Sequence, residues 1–386
     1  MNICMSGLDY SLAPIELREQ LSFTKNAVVD MDRSLAAIDG VLGAVLLSTC
    51  NRTELYLSLP AGSAVDPGEL LCRTAGVDYS SFAHAFVTRR GEDCARHLLE
   101  VACGLRSQIL GEDQILTQVK TAASLSRTAG ASDSVLETLF RIAASCGKAA
   151  KGAGRLTALP ASAAHRAVEA LAERLGPLSG RRAMVIGNGE MGRLAASLLH
   201  EAGCAVTVTL RSYHHGETVV PAGCAVVPYD DRYAAMEGMD LLLSATTSPH
   251  YTVLAQPLAA MAHPPQILVD LAIPRDIQPD LPSLLPQLTL LNVDDLQPSS
   301  RADAGALRRV EAVVEEYLER FFQWSNYRES LPALEEVKEA LLERVGDMDT
   351  EEAVLKTVDL LMGGLKEGFT PESLRLCAAK IRSHTR

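Results

Sequence analysis

The sequence predicts an α/β protein of several domains, and three observations carry that reading. Its 386 residues exceed the roughly 100–200 of one ordinary domain. Aromatic residues make up only 4% while hydrophobic ones reach 47%, in alanine-rich stretches that suit helices packed on sheets better than a many-stranded sandwich. A glycine turn at 187–192 stands between an apolar run and an amphipathic one, the order of strand, turn and helix that opens a nucleotide-binding sheet.

The elements follow in order. Asn2–Leu8 is an apolar stretch, and PIELREQL places Ile15, Leu17 and Leu21 on a short helix with Pro14 as its first residue. Gly43–Ser48 reads as a buried strand and Thr53–Leu59 as an alternating one, with the polar STCNRTE at their junction. Glu92–Leu105 and Val135–Cys146 carry apolar residues at helical spacing. An α/β domain over 1–155 results. RLTALP, ending at Pro160, suggests a boundary, with a hinge near 155, and an Ala-rich helix then runs to Leu175. RRAMVIGNGEMGRLAASLLHEAGCAVTVTLRS follows as strand, turn, helix and strand, and β-like runs recur at Cys224–Val227, Asp240–Ala245, Ile267–Leu271 and Thr289–Leu291. Nine of the 18 prolines lie between Pro249 and Pro298, which favours short strands and loops there. The second domain is therefore 156–298. The third, 299–386, reads as all-helical. Ser300 to Asp303 has capping-box spacing, Leu307, Val310, Val314, Tyr317, Phe321 and Trp324 form a narrow apolar seam, and Thr370-Pro371 opens a last helix.

Charge and cysteine usage bound the function. Thirty-six basic against 48 acidic residues leave −12, so no global basic field attracts nucleic acid. Residues 1–160 hold 15 basic and 17 acidic groups against 21 and 31 in the remainder, which makes the first part the more tolerant of phosphates. Local arginines such as Arg89 and Arg90 would have to serve any polyanion. Nine cysteines without a C-x-x-C pattern suit free thiols in a reducing compartment, and no secretory leader or membrane-length apolar run is read, so the cytoplasm is expected. His214 and His215 are adjacent and no H-E-x-x-H occurs, so no metal site is expected.

Gly187, Asn188, Gly189, Glu190, Met191 and Gly192 form a weak pattern alone and a strong one in this context. The glycines allow a tight turn and close backbone approach, and the helix start offers N–H groups to a pyrophosphate. After the next strand, where an acidic residue would bind a ribose 2′-hydroxyl, the chain has Arg211, which suits a 2′-phosphate and hence NADPH. An exposed arginine after a strand is also a common feature without a ligand. Cys50 sits among Ser48, Thr49, Asn51 and Arg52, and a nearby cation favours thiolate, although a small buried cysteine fits the spacing as well. His97 fits a satisfied core histidine as readily as a working one. In GLRSQILGEDQILTQVK, residues 104–120, the polar Ser107, Glu112, Gln114 and Gln118 suit either a solvated helix face or a pocket wall.

LSTCNRTELYL at 47–57, HLLEVACGLRSQILGEDQILTQVK at 97–120, VIGNGEMG at 185–192 and VDLAIPRDI at 269–277 together resemble the glutamyl-tRNA reductases in order and spacing, over roughly residues 1–330. The resemblance implies a V-shaped homodimer with a catalytic α/β N-terminal domain, a Rossmann NADP-binding domain and an all-helical C-terminal dimerisation domain. It implies that Cys50 is the nucleophile and that His97 matters for activity. Thr49, Asn51, Arg52, Ser107, Glu112, Asp113, Gln114 and Gln118 would line the glutamyl pocket, and Gly187 to Gly192 with Arg211 would hold NADPH. The implied reaction transfers the glutamyl group of glutamyl-tRNA to Cys50 as a thioester and reduces it to glutamate-1-semialdehyde, the first step of C5 tetrapyrrole (5-aminolevulinate) biosynthesis, with an aminotransferase as a possible recipient. The sequence departs from the family at Arg106 (usually acidic), Asp113 (usually proline), Thr117 (usually glycine) and Leu210 (usually asparagine). A paralogue reducing another aminoacyl-tRNA, a noncatalytic NADP- or tRNA-binding regulator and a small-molecule dehydrogenase are the other readings; the last leaves STCNRTE unexplained.

Overall fold

The computed structural model describes residues 2–112, 114–154, 156, 162–211, 219–296, 303–345 and 349–364. The capping-box serine at 300, the Thr370-Pro371 helix, His214, His215 and the hinge position 155 lie outside them, as does Asp113. Compactness divides the chain into Met1–Phe322 and Gln323–Arg386.

The first unit begins with β1 (Ile3–Asp9), α1 (Ile15–Gln20), α2 (Lys25–Ala36), β2 (Gly43–Ser48), β3 (Arg52–Ser58), α3 (Pro67–Ala75), β4 (Val87–Arg90), α4 (Gly91–Ala102), α5 (Gln114–Ala129) and α6 (Ser134–Ala153). Pro14 is the residue before α1 instead of its first one: its φ of −63° would suit a helix, but its ψ of 163° is extended, so it stands at the N-cap with its carbonyl accepting from the N–H of Leu17 and Arg18. The four strands form an antiparallel sheet in the order β2-β3-β1-β4. Every residue of β3 is buried, so both faces of its alternation are covered. Leu55 and Leu57 join Val28, Met31 and Leu35 of α2 and Leu70 and Leu71 of α3. Each such leucine contributes roughly 1.5–3 kcal/mol of burial. Arg52, Glu54 and Tyr56 point the other way, toward α4 and α6, where the Tyr56 ring meets Phe140 edge-on at 5.3 Å.

The second sheet follows from α7 (Ala163–Leu175), β5 (Arg182–Ile186), α8 (Glu190–Glu201), β6 (Ala205–Leu210), β7 (Ala225–Pro228), α9 (Arg232–Met236), β8 (Leu241–Ser244), α10 (Ala255–Ala259), β9 (Ile267–Asp270), α11 (Leu281–Leu284) and β10 (Thr289–Asn292). Its strands are all parallel, in the order β10-β9-β8-β5-β6-β7, which is the doubly wound arrangement with its switch point between β5 and β8. Strand alternation serves two cores. Ala183, Val185, Leu241 and Leu243 pack with α7 and α8, while Met184, Ile186 and Leu242 pack with Met236, Leu258 and Leu281. Ligands bind such sheets at the carboxyl ends of the strands beside the switch point, which is where the glycine turn stands.

α12 (Ala304–Val345) crosses from the first unit into the second, which also holds α13 (Thr350–Gly364). In the first unit α12 buries Ala306, Val310, Val314, Leu318 and Phe321, whereas Leu307 and Tyr317 of the expected seam are half-buried. Successive residues turn by about 100°, so the steps of four that dominate the buried set rotate it by about 40° each around the helix, which brings Ala306 and Leu318 into the core where a strict 3-4 seam would have placed Leu307 and Tyr317. Among the described residues no helix is long and apolar enough to cross a membrane.

Candidate active site

The thiol sits where β2 hands over to β3. Thr49 shapes that turn, its Oγ1 accepting from the backbone N–H of Asn51 at 3.2 Å and of Arg52 at 3.1 Å, an arrangement that frees the next side chain to project from a tight bend. Cys50 is half-buried there and free. Asn51 and Arg52 are buried.

The floor is a charged cluster built by the period of two along β3. Arg52, 2% exposed, donates from Nη1 to Glu54 Oε1 at 2.7 Å and from Nη2 to the carbonyl of Arg106. The same Glu54 oxygen lies 2.9 Å from His97 Nε2 on α4, and Tyr56 donates its hydroxyl to Glu54 Oε2 at 2.6 Å. Burial alone would raise the Glu54 carboxyl, but His97, Arg52 and the hydrogen bonds from His97 and Tyr56 outweigh it and hold Glu54 well below the usual carboxylate range. Burial, then the Glu54 charge, push the Tyr56 phenol well above its ordinary value. His97 Nδ1 is buried with no hydrogen-bond partner among the described residues.

This geometry revises one expectation. A cation beside Cys50 favours thiolate only as far as its charge is free, and the Arg52 charge is engaged by Glu54. The Cys50 thiol is pushed up to about 12, first by burial and then by Glu112, against weaker pulls from Arg18 and Arg52. Arg52 commits one donor of each terminal nitrogen to the protein, to Glu54 and to the Arg106 carbonyl.

The pocket loop runs from Gly104 to Glu112. Gly104, at φ +74°, lets the chain fold back until a Cβ there would lie 2.9 Å from Gly111 Cα, and the Gly111 N–H closes the loop on the Gly104 carbonyl at 3.0 Å. Ser107 is buried and Glu112 half-buried, and Glu112 is near enough to act on the thiol. Gln114 and Gln118 are half-buried on α5, and no hydrogen bond among the described residues joins them to the cluster. Asp113 lies outside the described residues. The structure thus brings together Thr49, Cys50, Asn51, Arg52, His97 and Glu112. It adds Glu54, Tyr56 and Arg18, which the motifs do not single out. Arg18 on α1 donates to the Cys50 carbonyl at 2.7 Å and to Asn51 Oδ1 at 3.4 Å. Glu54 and Tyr56 carry a signal in sequence, since they share the Arg52 face of a period-two strand. So does Arg18, three residues after buried Ile15.

At the second sheet, Gly187 takes φ +105°, and a Cβ there would meet the Ala245 carbonyl oxygen at 2.4 Å. A Cβ on Gly192 would stand 2.0 Å from Gly187 O, while one on Gly189 would point into open space. Gly189 precedes α8 without a side-chain cap. Asn188 donates to Val219 O at 3.0 Å, and its buried Oδ1 has no partner among the described residues. An open cradle, an uncapped helix start and an orphaned acceptor fit a dinucleotide. Glu190 is exposed and Met191 half-buried. Arg211, exposed at the end of β6, stacks on the Tyr229 ring at 4.7 Å. Among the described residues no group of three or more potential metal ligands is present.

Fold and site together define a nicotinamide-dinucleotide-binding α/β protein whose antiparallel first sheet bears the cysteine. Comparison with known proteins narrows the class. The family model of the glutamyl-tRNA reductase N-terminal domain matches residues 6–153, and that of shikimate/quinate 5-dehydrogenase matches 169–299. The chain is 41% identical over 333 residues to a glutamyl-tRNA reductase of Acetivibrio thermocellus, covering 86% of this chain and 99% of that one. It is 31% identical to one of Chloroflexus aurantiacus over 100% of this chain and 96% of the relative. The solved glutamyl-tRNA reductase of Methanopyrus kandleri is 28% identical, covers 99% of this chain with 98% of its own, and has a TM-score of 0.46. The chain belongs to the glutamyl-tRNA reductase family.

Proposed function

We propose that this protein reduces glutamyl-tRNA to glutamate-1-semialdehyde with NADPH, through a thioester on Cys50. The observation that carries the reading is the placement of Cys50, half-buried on a tight turn beside Glu112 and Arg18, in a chain whose other sheet presents an open dinucleotide cradle. The roles divide as residues 1–155 for catalysis, 156–298 for the cofactor and 299–386 for dimerisation. Exposed Tyr327, Leu331, Leu334, Val337 and Leu342 support the last, as apolar surface that a second copy would cover. Free cysteines support a cytoplasmic setting, and an aminotransferase is the expected recipient of the reactive aldehyde.

Cys50 Sγ attacks the ester carbonyl that joins the glutamyl group to the terminal ribose. The ribose hydroxyl departs with a proton, and the glutamyl group remains as a thioester. His97 gives its Nε2 to Glu54, and Nδ1, without a partner among the described residues, is the ring nitrogen left to hold the substrate. Thr49 fixes the turn and Arg52 fixes Glu54 and the Arg106 carbonyl; Asn51, Ser107, Glu112, Gln114 and Gln118 line the space left for the glutamyl chain, and the family resemblance assigns Asp113 to the same wall. Gly187, Asn188, Gly189, Glu190, Met191 and Gly192 would hold the dinucleotide phosphates, and Arg211, stacked on Tyr229, its 2′-phosphate. The reduced dinucleotide supplies, when bound, the hydride that the thioester carbonyl accepts more readily than an ester would. Collapse then expels the Cys50 thiolate and frees the aldehyde.

Cys50→Ser tests the assignment. Aldehyde production should fall at least about 10³-fold with NADPH affinity unchanged; turnover at the wild-type rate would refute the nucleophile.

A further inference from the structure

Both walls of the thiol site lean on one short turn of the nucleotide-binding half. That turn is Val293–Asp295, directly after β10. Arg18, 2% exposed, donates to Ala13 O at 3.1 Å, to the Cys50 carbonyl and to Asn51 Oδ1, and pairs with Asp294 across 276 positions of sequence. Gln108 of the pocket loop donates to Val293 O at 3.2 Å. A second bridge stands beside it. Arg275 donates to Glu19 from Nε at 2.8 Å and from Nη2 at 2.9 Å, and to Glu16 from Nη1 at 3.1 Å. Ser22 Oγ reaches Ile273 O at 3.2 Å. Arg275 and Ile273 belong to the VDLAIPRDI segment, to which the reaction itself gives no role.

We propose that Arg18 is a positioning residue that couples docking of the nucleotide-binding half to the Cys50 turn: shared with Asp294 it holds the turn still, and released from Asp294 it gives its whole charge to the thiol. The surrounding charges support this. Burial and Glu112 oppose ionisation of Cys50, and of the two cations that favour it Arg52 is engaged by Glu54. Arg18 is the one whose partner comes from the other half of the molecule. Acyl transfer, which needs a nucleophilic sulfur, is then favoured with the halves apart, and hydride transfer with them docked. The inference rests on the proposed role of Cys50 as acyl acceptor, but its test reads the sulfur directly and needs no tRNA.

The test is the rate of iodoacetamide alkylation at Cys50 in the full chain at pH 7.5, followed on the Cys50 peptide by mass spectrometry. Asp294→Asn frees Arg18, and Glu19→Ala weakens docking at the other bridge without touching Arg18. Both should alkylate roughly three- to tenfold faster than wild type, corresponding to about half to one pH unit in the thiol. Arg18→Gln should alkylate more slowly, Arg18→Lys should restore most of the rate, and Asp294→Asn on the Arg18→Gln background should add nothing. Wild-type rates in Asp294→Asn and Glu19→Ala, or acceleration by Asp294→Asn that persists without Arg18, would overturn the proposal. If Arg18→Gln does not fold, the two docking variants and Arg18→Lys still decide it.

Discussion

Cys50 is a thiol whose reactivity is set by neighbours of opposite sign. Glu112 is the largest charge opposing ionisation after burial itself, so Glu112→Gln should lower the Cys50 pKa and speed its alkylation at pH 8 by about threefold or more. An unchanged rate would remove Glu112 from the thiol environment. Asp32 and Asp270 lie outside this chemistry but record burial just as clearly. Each is raised to about 8, by burial first and, for Asp270, by Asp276 next. A carboxyl raised in the fold above its unfolded value of about 3.9 binds protons preferentially in the native state. Its contribution is whole below that unfolded value and is lost as pH rises toward 8. Thermal unfolding should therefore show stability falling over pH 4–8 from these two groups, and Asp32→Asn should flatten part of the slope. Glu54 has the opposite sign, contributing above its unfolded value of about 4.3 and losing that as pH falls. Cys50, Arg52 and His97 are legible in the sequence because their motif neighbours are distinctive. That Arg52 faces Glu54 is not, because a strand pattern shows which side chains share a face and not that α4 covers it.

Among elements, most strands are legible within a residue or two, since short apolar runs bounded by turns leave little freedom; β4 is not, because its VTRR alternates half-buried and exposed residues without an apolar run. α2 is not evident from the sequence. Its buried Val28, Met31 and Leu35 follow helical spacing, but Asp32 occupies the core position between them, and a buried acid that supports the fold by accepting from Leu46 N at 2.9 Å looks like a surface residue in sequence. α3 is hidden in a turn-rich stretch, although Asp66 caps it from two backbone N–H groups. The glycine turn is fully legible, and it yields a paired prediction. Gly192→Ala must displace backbone at 2.0 Å and should lower both the melting temperature and NADPH affinity. Gly189→Ala, with open space and φ −73°, should leave the melting temperature within about 2 °C and weaken NADPH roughly tenfold by occupying the phosphate approach. Fluorescence titration alongside thermal unfolding separates the two; equal NADPH affinity in Gly189→Ala and wild type would move the phosphates elsewhere.

At the scale of the whole molecule, two sheets of different construction serve one reaction. The antiparallel sheet presents sulfur, the parallel one an open cradle, and polar bridges from Arg18, Gln108 and Arg275 join them. Both parts are readable in sequence and the bridges are not, because residues more than 180 positions apart meet only through the fold. The charge total of −12 is compatible with a tRNA substrate if few local cations make the contact, which predicts a shallow salt dependence of binding. The proposed chemistry turns on whether Cys50 accepts the glutamyl group before reduction. Intact-protein and peptide mass spectrometry after incubation with glutamyl-tRNA in the absence of NADPH measures this directly. A single glutamyl adduct on the Cys50 peptide that disappears when NADPH is added is the expected result; reduction of the substrate with no adduct there, or an adduct on another cysteine, would contradict it.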